Sequence, residues 1–508
     1  MRKFLTICLL VFVPAAIMAQ RQTPVIVIMA DQLRTDALGA YTPNINALQK
    51  ESVNFSRAYC AVPLCAPSRA AFFTGLYANH TGSLINPWEK ADEKYGDTHA
   101  GTPSLYSLLE KDWDSYHVGK QHFFTEEKID KNPQSLTHWI TQEDYSKWLK
   151  ELHKSKPGGK QFKADAPELV SGDHTQLRSY STPAFGKYKE GIDYFLDKYI
   201  ADNCIKAIRE RKTDKPILLN AMFLAPHPPF SVPEPYYSMI DPQSIHLPDN
   251  VAQWYTGQSP LQVYNLTGFV GTRYSREQWR DIWAKYLGLV KLLDDQVGRV
   301  IQALKEAGIY DESIVIFTAD HGEMLGSHRL WQKMCMYEES AKVPLMIKMP
   351  KQAGITATNT DALVSLIDVF PTILDYIGVK NPAKMDGQSL LPLLQGTGKG
   401  RTSLFIQYDG NGSLGSVQRC RVEGNLKLIA DQFKDETWLE LYDLSKDPQE
   451  TKNLVFDPAY RNTAEKMLKG LEAEMKLTGD RIRLPDKLLE TFLRIHTPSS
   501  NESDNNGL

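Results

Sequence analysis

Three stretches of this chain have no wet face. Thr23 to Ala30, Pro216 to Ala225 and Ser313 to Ala319 are apolar, rich in Val, Ile and Leu, and do not alternate polar with apolar residues. A strand with one solvated face alternates, whereas a strand covered by helices on both sides does not. The pattern predicts strands inside a mostly parallel sheet, and hence an α/β fold. Ser115 to Val118 and Val343 to Met349 read as further strands. Helical spacing falls between them at Asn44–Glu51, Ser104–Lys111, Asp193–Arg211, Arg276–Gly308 and Ile367–Ile377. The fourth of these carries an apolar stripe, Tyr286, Val290, Leu293, Val297, Val300, Ile301 and Leu304, which suits a core-facing side. Residues 124–190 are polar, Lys-rich and irregular, and read as an insertion over the surface of that core.

From about residue 390 the texture changes. Gly-rich turns separate short segments at Ser403–Tyr408, Ser416–Val422, Leu426–Ala430 and Glu440–Asp443, followed by a helical pattern at Ala464–Leu477. That is the signature of a small antiparallel sheet with a closing helix. A chain of 508 residues is long enough for one large domain and a smaller one. The expected organisation is a large α/β domain over 20–385, its mixed, mostly parallel sheet sandwiched by helices, and an α+β subdomain over 386–496. A disordered Ser/Asn-rich tail is expected over 497–508.

Chemistry gathers where the apolar runs end. The first stops at Asp31-Gln32, the second at Pro226-His227-Pro228-Pro229, the third at Asp320-His321-Gly322-Glu323. Open α/β sheets collect ligands at the carboxyl ends of their strands, which share one edge, so these groups can converge across about 300 positions of sequence. The shorter strand runs into Gly119-Lys120-Gln121-His122, which on its own reads as a solvated loop. Cys65-Ala66-Pro67-Ser68-Arg69 leads on to Thr74-Gly75. Pro67 suits a first helical turn and Gly75 a helix end, so Cys65 is expected on a loop leading into a helix N-terminus. Free N–H groups and the dipole favour an anion there, and Arg69 adds a fixed positive charge. A lone Cys is usually a small buried hydrophobe.

Cys-x-Pro-Ser-Arg followed by Thr-Gly resembles the maturation signature of the type I sulfatases, members of the alkaline phosphatase superfamily. The order and spacing of the other pieces resemble that family over about residues 24–455, ending with Tyr442-Asp443-Leu444 to Glu450-x-x-Asn453-Leu454. The resemblance implies an alkaline-phosphatase-like large domain and conversion of Cys65 to Cα-formylglycine by a separate maturation enzyme. Asp31, Gln32, Asp320 and His321, with Cys65, fall where the family holds one divalent cation, usually calcium. Gln32 stands where a second Asp is frequent and His321 where Asn is frequent. Calcium prefers oxygen, so the His leaves magnesium and manganese open, and a sulfate ligand is the other reading of His321. The hydrated aldehyde would attack sulfur, with Arg69, Lys120 and Lys333 neutralising charge. His227 matches the acid that protonates the leaving alcohol, and His122 the base that lets sulfate depart. His328 and Arg329 stand where they either read the leaving group or lie on the surface. The insertions at 84–100 and 124–190, and the Trp254-Tyr255 and Trp438 regions, offer candidate sugar subsites.

Composition narrows the class. A formal net charge of −3 argues against a nucleic-acid-binding protein. Arg2 and Lys3, the apolar run Phe4–Val13 and Ala19 read as a signal peptide over 1–19. Cys8 lies inside that run, not at its end, so no lipoprotein or other stable membrane anchor is expected. The product is expected to be periplasmic or secreted. The remaining Cys60, Cys65, Cys204, Cys335 and Cys420 match neither a disulfide scaffold nor a zinc site. The expected activity is hydrolysis of sulfate esters on carbohydrate. The alternatives are a phosphodiesterase or phosphonate monoester hydrolase on the same fold, and a sulfatase-like binding protein with a dead site.

Overall fold

The computed structural model describes residues 22–88, 95–171, 174–411 and 415–496. The predicted signal segment and tail lie outside them. The strands in chain order are β1 (Val25–Asp31), β2 (Val53–Tyr59), β3 (Asp114–Gly119), β4 (His138–Thr141), β5 (Lys163–Ser171), β6 (His174–Ser181), β7 (Phe185–Lys187), β8 (Ile217–Pro226), β9 (Phe230–Val232), β10 (Ile314–Ala319), β11 (Lys342–Val343), β12 (Leu345–Lys348) and β13 (Thr358–Ser365). The C-terminal strands are β14 (Ser403–Tyr408), β15 (Ser416–Glu423), β16 (Leu426–Phe433) and β17 (Glu436–Asp443).

Nine strands form one sheet in the order β11-β2-β12-β10-β1-β8-β3-β4, with β13 also paired to β2. β1 runs parallel to β10 and to β8, and β3 runs parallel to β8 and β4. Only β12 and the two-residue β11 run against the rest, so the sheet is mixed and mostly parallel. Every residue of β1 and β10 is buried, as unalternating apolar runs require. Helices Leu196–Glu210 and Arg276–Glu306 pack on β8, and Cys65–Thr74 packs on Leu366–Asp368 and Val369–Ile377. The second unit is the antiparallel sheet β14-β15-β16-β17 with helices Arg461–Leu477 and Leu488–His496.

Three local expectations are corrected. Cys65 is not on the loop but is the first residue of the helix Cys65–Thr74. The region 124–190 is not irregular throughout: it supplies β4 to the main sheet, the helix Gln142–Glu151 and the β5–β6 hairpin. β2 and β13 carry no unbroken apolar run to announce them, because Asn54, Ser56 and Arg57 interrupt one and the first half of the other is largely exposed. All five cysteines among the described residues are unpaired and buried.

Candidate active site

The helix Cys65–Thr74 is buried along its whole length. Its N-cap, Leu64, is extended and has no side-chain cap, so Asn86 Oδ1 takes up Ala66 N–H at 3.2 Å. Ser68 Oγ donates to the Asp320 carbonyl at 2.5 Å. Arg69 Nε donates to Asp320 Oδ2 at 2.9 Å and Arg69 Nη2 to Asp31 Oδ2 at 3.2 Å. The Ser and Arg of the five-residue motif therefore fasten the first turn of the helix to the ends of β10 and β1. This fixes Cys65 at the positive end of a helix, beside two buried carboxylates.

Around the sulfur stand five nitrogen-bearing side chains, those of Lys120, His122, His227, His321 and Lys333. His321 Nε2 lies 3.2 Å from Cys65 Sγ, while its Nδ1 faces the Gly322 carbonyl at 3.0 Å. Lys120 Nζ donates to Asp31 Oδ2. Lys333 Nζ donates to Gln32 Oε1 at 2.6 Å and sits 3.3 Å from His227 Nε2. Burial alone would raise the Cys65 thiol, but Lys120, Lys333 and His321 outweigh it and hold the thiol well below its ordinary value. Burial would likewise raise Asp31, and Lys120 with His227 and Arg69 keeps its carboxyl ionised far below the usual range. His122 is pushed down to about 3 by burial and then by Lys120. It is neutral across the working range, as a proton acceptor must be. Burial and Lys333 also lower His227, whose Nδ1 donates to the Pro228 carbonyl at 2.5 Å and leaves Nε2 towards the site.

The structure thus brings together Asp31, Gln32, Cys65, Arg69, Lys120, His122, His227, Asp320, His321 and Lys333. Gln32 is the least free of them. Its backbone sits at φ 67 and its N–H donates to Asp320 Oδ1 at 3.1 Å. Its side chain is divided between Lys333 and Glu323 Oε2. Glu323 was quoted in the sequence but given no role. Its other oxygen accepts the N–H groups of Leu325 at 2.9 Å and Gln332 at 2.6 Å, which ties the segment carrying Lys333 to β10. An acid just beyond an apolar strand was the signal that could have singled it out.

His328 and Arg329 are not brought to this cluster. His328 is fully buried, stacked on Tyr337 at 4.0 Å and bonded through Nε2 to the Gln449 carbonyl at 3.0 Å. Arg329 is exposed, and its Nε donates to the Ala252 carbonyl at 3.1 Å.

The site fits a cation. Ligand atoms of Asp31, Cys65, Asp320 and His321 lie within 4.8 Å of one another. Asp31 Oδ1 is buried with no hydrogen-bond partner, an orphan that native interiors rarely tolerate. Two carboxylates suit a hard cation, and His321, which Asp320 and Cys65 hold above its ordinary value against burial, would offer the Nε2 lone pair on losing its proton to a bound cation.

Comparison with known proteins places the chain in a family. The sulfatase family model matches residues 23–379, and a model described as N-sulphoglucosamine sulphohydrolase, C-terminal, matches 326–476. An arylsulfatase of Clostridium perfringens is 26% identical, covering 92% of this chain and 97% of its own. An N-acetylglucosamine-6-O-sulfatase of Bacteroides thetaiotaomicron is 25% identical, covering 90% of this chain and 87% of its own. The crystal structure of a phosphonate monoester hydrolase of Agrobacterium radiobacter has the same fold, with a TM-score of 0.72 at 23% identity, covering 90% and 96% of the two chains.

Proposed function

The chain belongs to the sulfatase family, and on that premise we propose that it is an exported sulfuric ester hydrolase acting on sulfated carbohydrate through a formylglycine made from Cys65. The observation that carries this reading is the setting of Cys65, at a buried helix start among Asp31, Asp320, His321, Lys120 and Lys333. The carbohydrate is supported by the named activity of the Bacteroides relative and by the C-terminal match. Among the described residues no helix is long and apolar enough to cross a membrane.

The chain's own residues divide the work. Asp31, Asp320 and His321 would hold a divalent cation, for which we propose calcium, with the Gln32 side chain beside it. When bound, the cation supplies positive charge to polarise the sulfate ester. The formylglycine, as its hydrate, supplies the attacking hydroxyl and a second hydroxyl that permits turnover. Lys120 and Lys333 present fixed charge where negative charge grows on the sulfate oxygens, without reorganisation during reaction. His227 Nε2, on the side of Lys333, is placed to pass a proton to the leaving alcohol from the doubly protonated ring, since in the neutral ring the one proton sits on Nδ1. His122, neutral and half-buried, is placed to accept one.

The deciding experiment is inorganic sulfate release from sulfated mono-, di- and polysaccharides, with a phosphonate monoester alongside. The protein is co-produced with a formylglycine-generating enzyme, and Cys65→Ala is the control. Sulfate release that disappears in Cys65→Ala establishes the reading. Cleavage of the phosphonate alone by fully converted, metal-loaded protein would transfer the chain to the second reading, which the phosphonate hydrolase fold supports.

A further inference from the structure

Trp88 is half exposed, at 49%, and is the one exposed tryptophan among the described residues. Its ring lies 5.1 Å from the His122 ring at an angle of 59°, and meets Phe124 edge-on at 6.1 Å. His122 in turn lies 5.5 Å from Phe124. The three rings form a wall that runs from solvent to the imidazole beside Cys65. Phe124 and His122 support one part of the indole, and the rest stays wet. The other aromatic candidates go elsewhere: Trp438 packs on Phe492 and His496, and Tyr255 lies edge-on to buried His328.

A single exposed apolar ring is ordinary on a protein surface; what sets Trp88 apart is its contact with His122, at the border of the buried cluster. What reaches this wall is fixed by the neighbouring chemistry. A sulfate held by Lys120 and Lys333 would lie in the buried cluster that His122 borders, so the carbon skeleton of its ester must leave that cluster towards solvent, where the Trp88 ring is exposed. A pyranose presents one face of C–H groups, which are weakly positive, and the indole face is negative, while the edge hydroxyls remain in water. We infer that Trp88 is the platform on which the ring of a sulfated pyranose stacks, and so a specificity-determining residue of this enzyme. The inference rests on the carbohydrate reading above and deepens it. A linear alkyl sulfate has no ring face to offer and gains little from the platform.

The test uses matured, metal-loaded enzyme and the sulfated monosaccharide it hydrolyses best in the panel above. Trp88→Ala is expected to raise KM for that sugar about tenfold with kcat nearly kept, the size of one good aromatic contact. The inhibition constant of inorganic sulfate, which reads the anion pocket alone, should move less than about twofold, far short of the KM effect. Trp88→Phe should recover most of the loss. A fall in kcat with a shifted pH profile would mean that Trp88 only braces His122, and would overturn the inference. So would an unmoved KM. A wild-type enzyme that releases sulfate from ethyl sulfate and from no sugar overturns the carbohydrate reading and the platform with it. Activity on the sugar with an indifferent Trp88→Ala overturns the platform alone.

Discussion

At the scale of single residues, the site is a balance of buried charge. Asp31 Oδ2 takes both Lys120 and Arg69, and Lys333 reaches Gln32 and His227. The Lys333 ammonium bonds Gln32 Oε1 and faces His227, both groups of the site, so Lys333→Ala should leave the far-ultraviolet circular dichroism unchanged. It should lower kcat/KM for a sulfate ester on the order of a hundredfold or more, the usual cost of one preorganised donor at a developing charge. The inhibition constant of inorganic sulfate should rise in the same variant. Asp31, His227, Asp320 and His321 were legible because each follows an apolar run and a parallel sheet has only one edge for them to share, and Cys65 and Arg69 because they stand at a helix start; Lys120, His122 and Lys333 came only from the resemblance to the family. Glu323 was not legible as a clamp, since its partners Gln32, Leu325 and Gln332 meet it only once the loop has closed. Nor was the fate of His328, because a His among polar neighbours looks the same in sequence whether it faces substrate or stacks on Tyr337.

At the scale of elements, the catalytic groups depend on how strands stop. β3 ends at Gly119, with φ 114, and a Cβ there would lie 2.1 Å from the Met222 carbonyl, the same carbonyl that accepts Lys120 N–H at 2.8 Å. Gly119→Ala must therefore push the two strand ends apart and carry Lys120 off Asp31. Activity should fall about a hundredfold, as for an ångström-scale misplacement. Far-ultraviolet circular dichroism should stay the same. β8 ends under a comparable constraint. Asp197 Oδ1 accepts both Leu224 and Ala225 N–H at 2.8 Å, just before His227. Asp197→Ala should impair hydrolysis of sugar sulfates, whose poor leaving group needs the acid, more than that of nitrophenyl sulfate. Asp197→Asn, which keeps an acceptor, should restore it. β1, β8 and β10 were legible because burial on both faces writes itself as an unbroken apolar run. β2 and β13 were not, because they pair beside each other with one face partly wet, and their polar residues look like loop.

At the scale of the whole molecule, the two sheets meet across buried acids. Ser259 Oγ donates to Asp431 Oδ2 at 2.6 Å, and Tyr337 and Tyr442 donate to Glu440 Oε1 at 2.8 and 2.9 Å. Burial raises Asp431 from 3.8 to about 8 and Glu440 from 4.5 to about 7. Between the lower and upper values the folded state keeps protons that the unfolded chain has released. Stability therefore declines as pH rises through that window and levels off above it. Asp431→Asn should flatten the decline, with melting temperatures equal to wild type near the lower value and higher near the upper one. Calorimetry across the range checks the sign. The same long-range assembly sets a clock on biosynthesis. Cys65 is 3% exposed in the finished protein, and the groups that enclose it arrive as late as Lys333, 268 positions further along the chain. At roughly 5–20 residues per second, a ribosome needs on the order of tens of seconds to deliver them. If Cys65 is converted as proposed, the maturation enzyme would have to work inside that interval, or on a chain still held unfolded, because the pocket proposed to use the residue would also shut the modifying enzyme out.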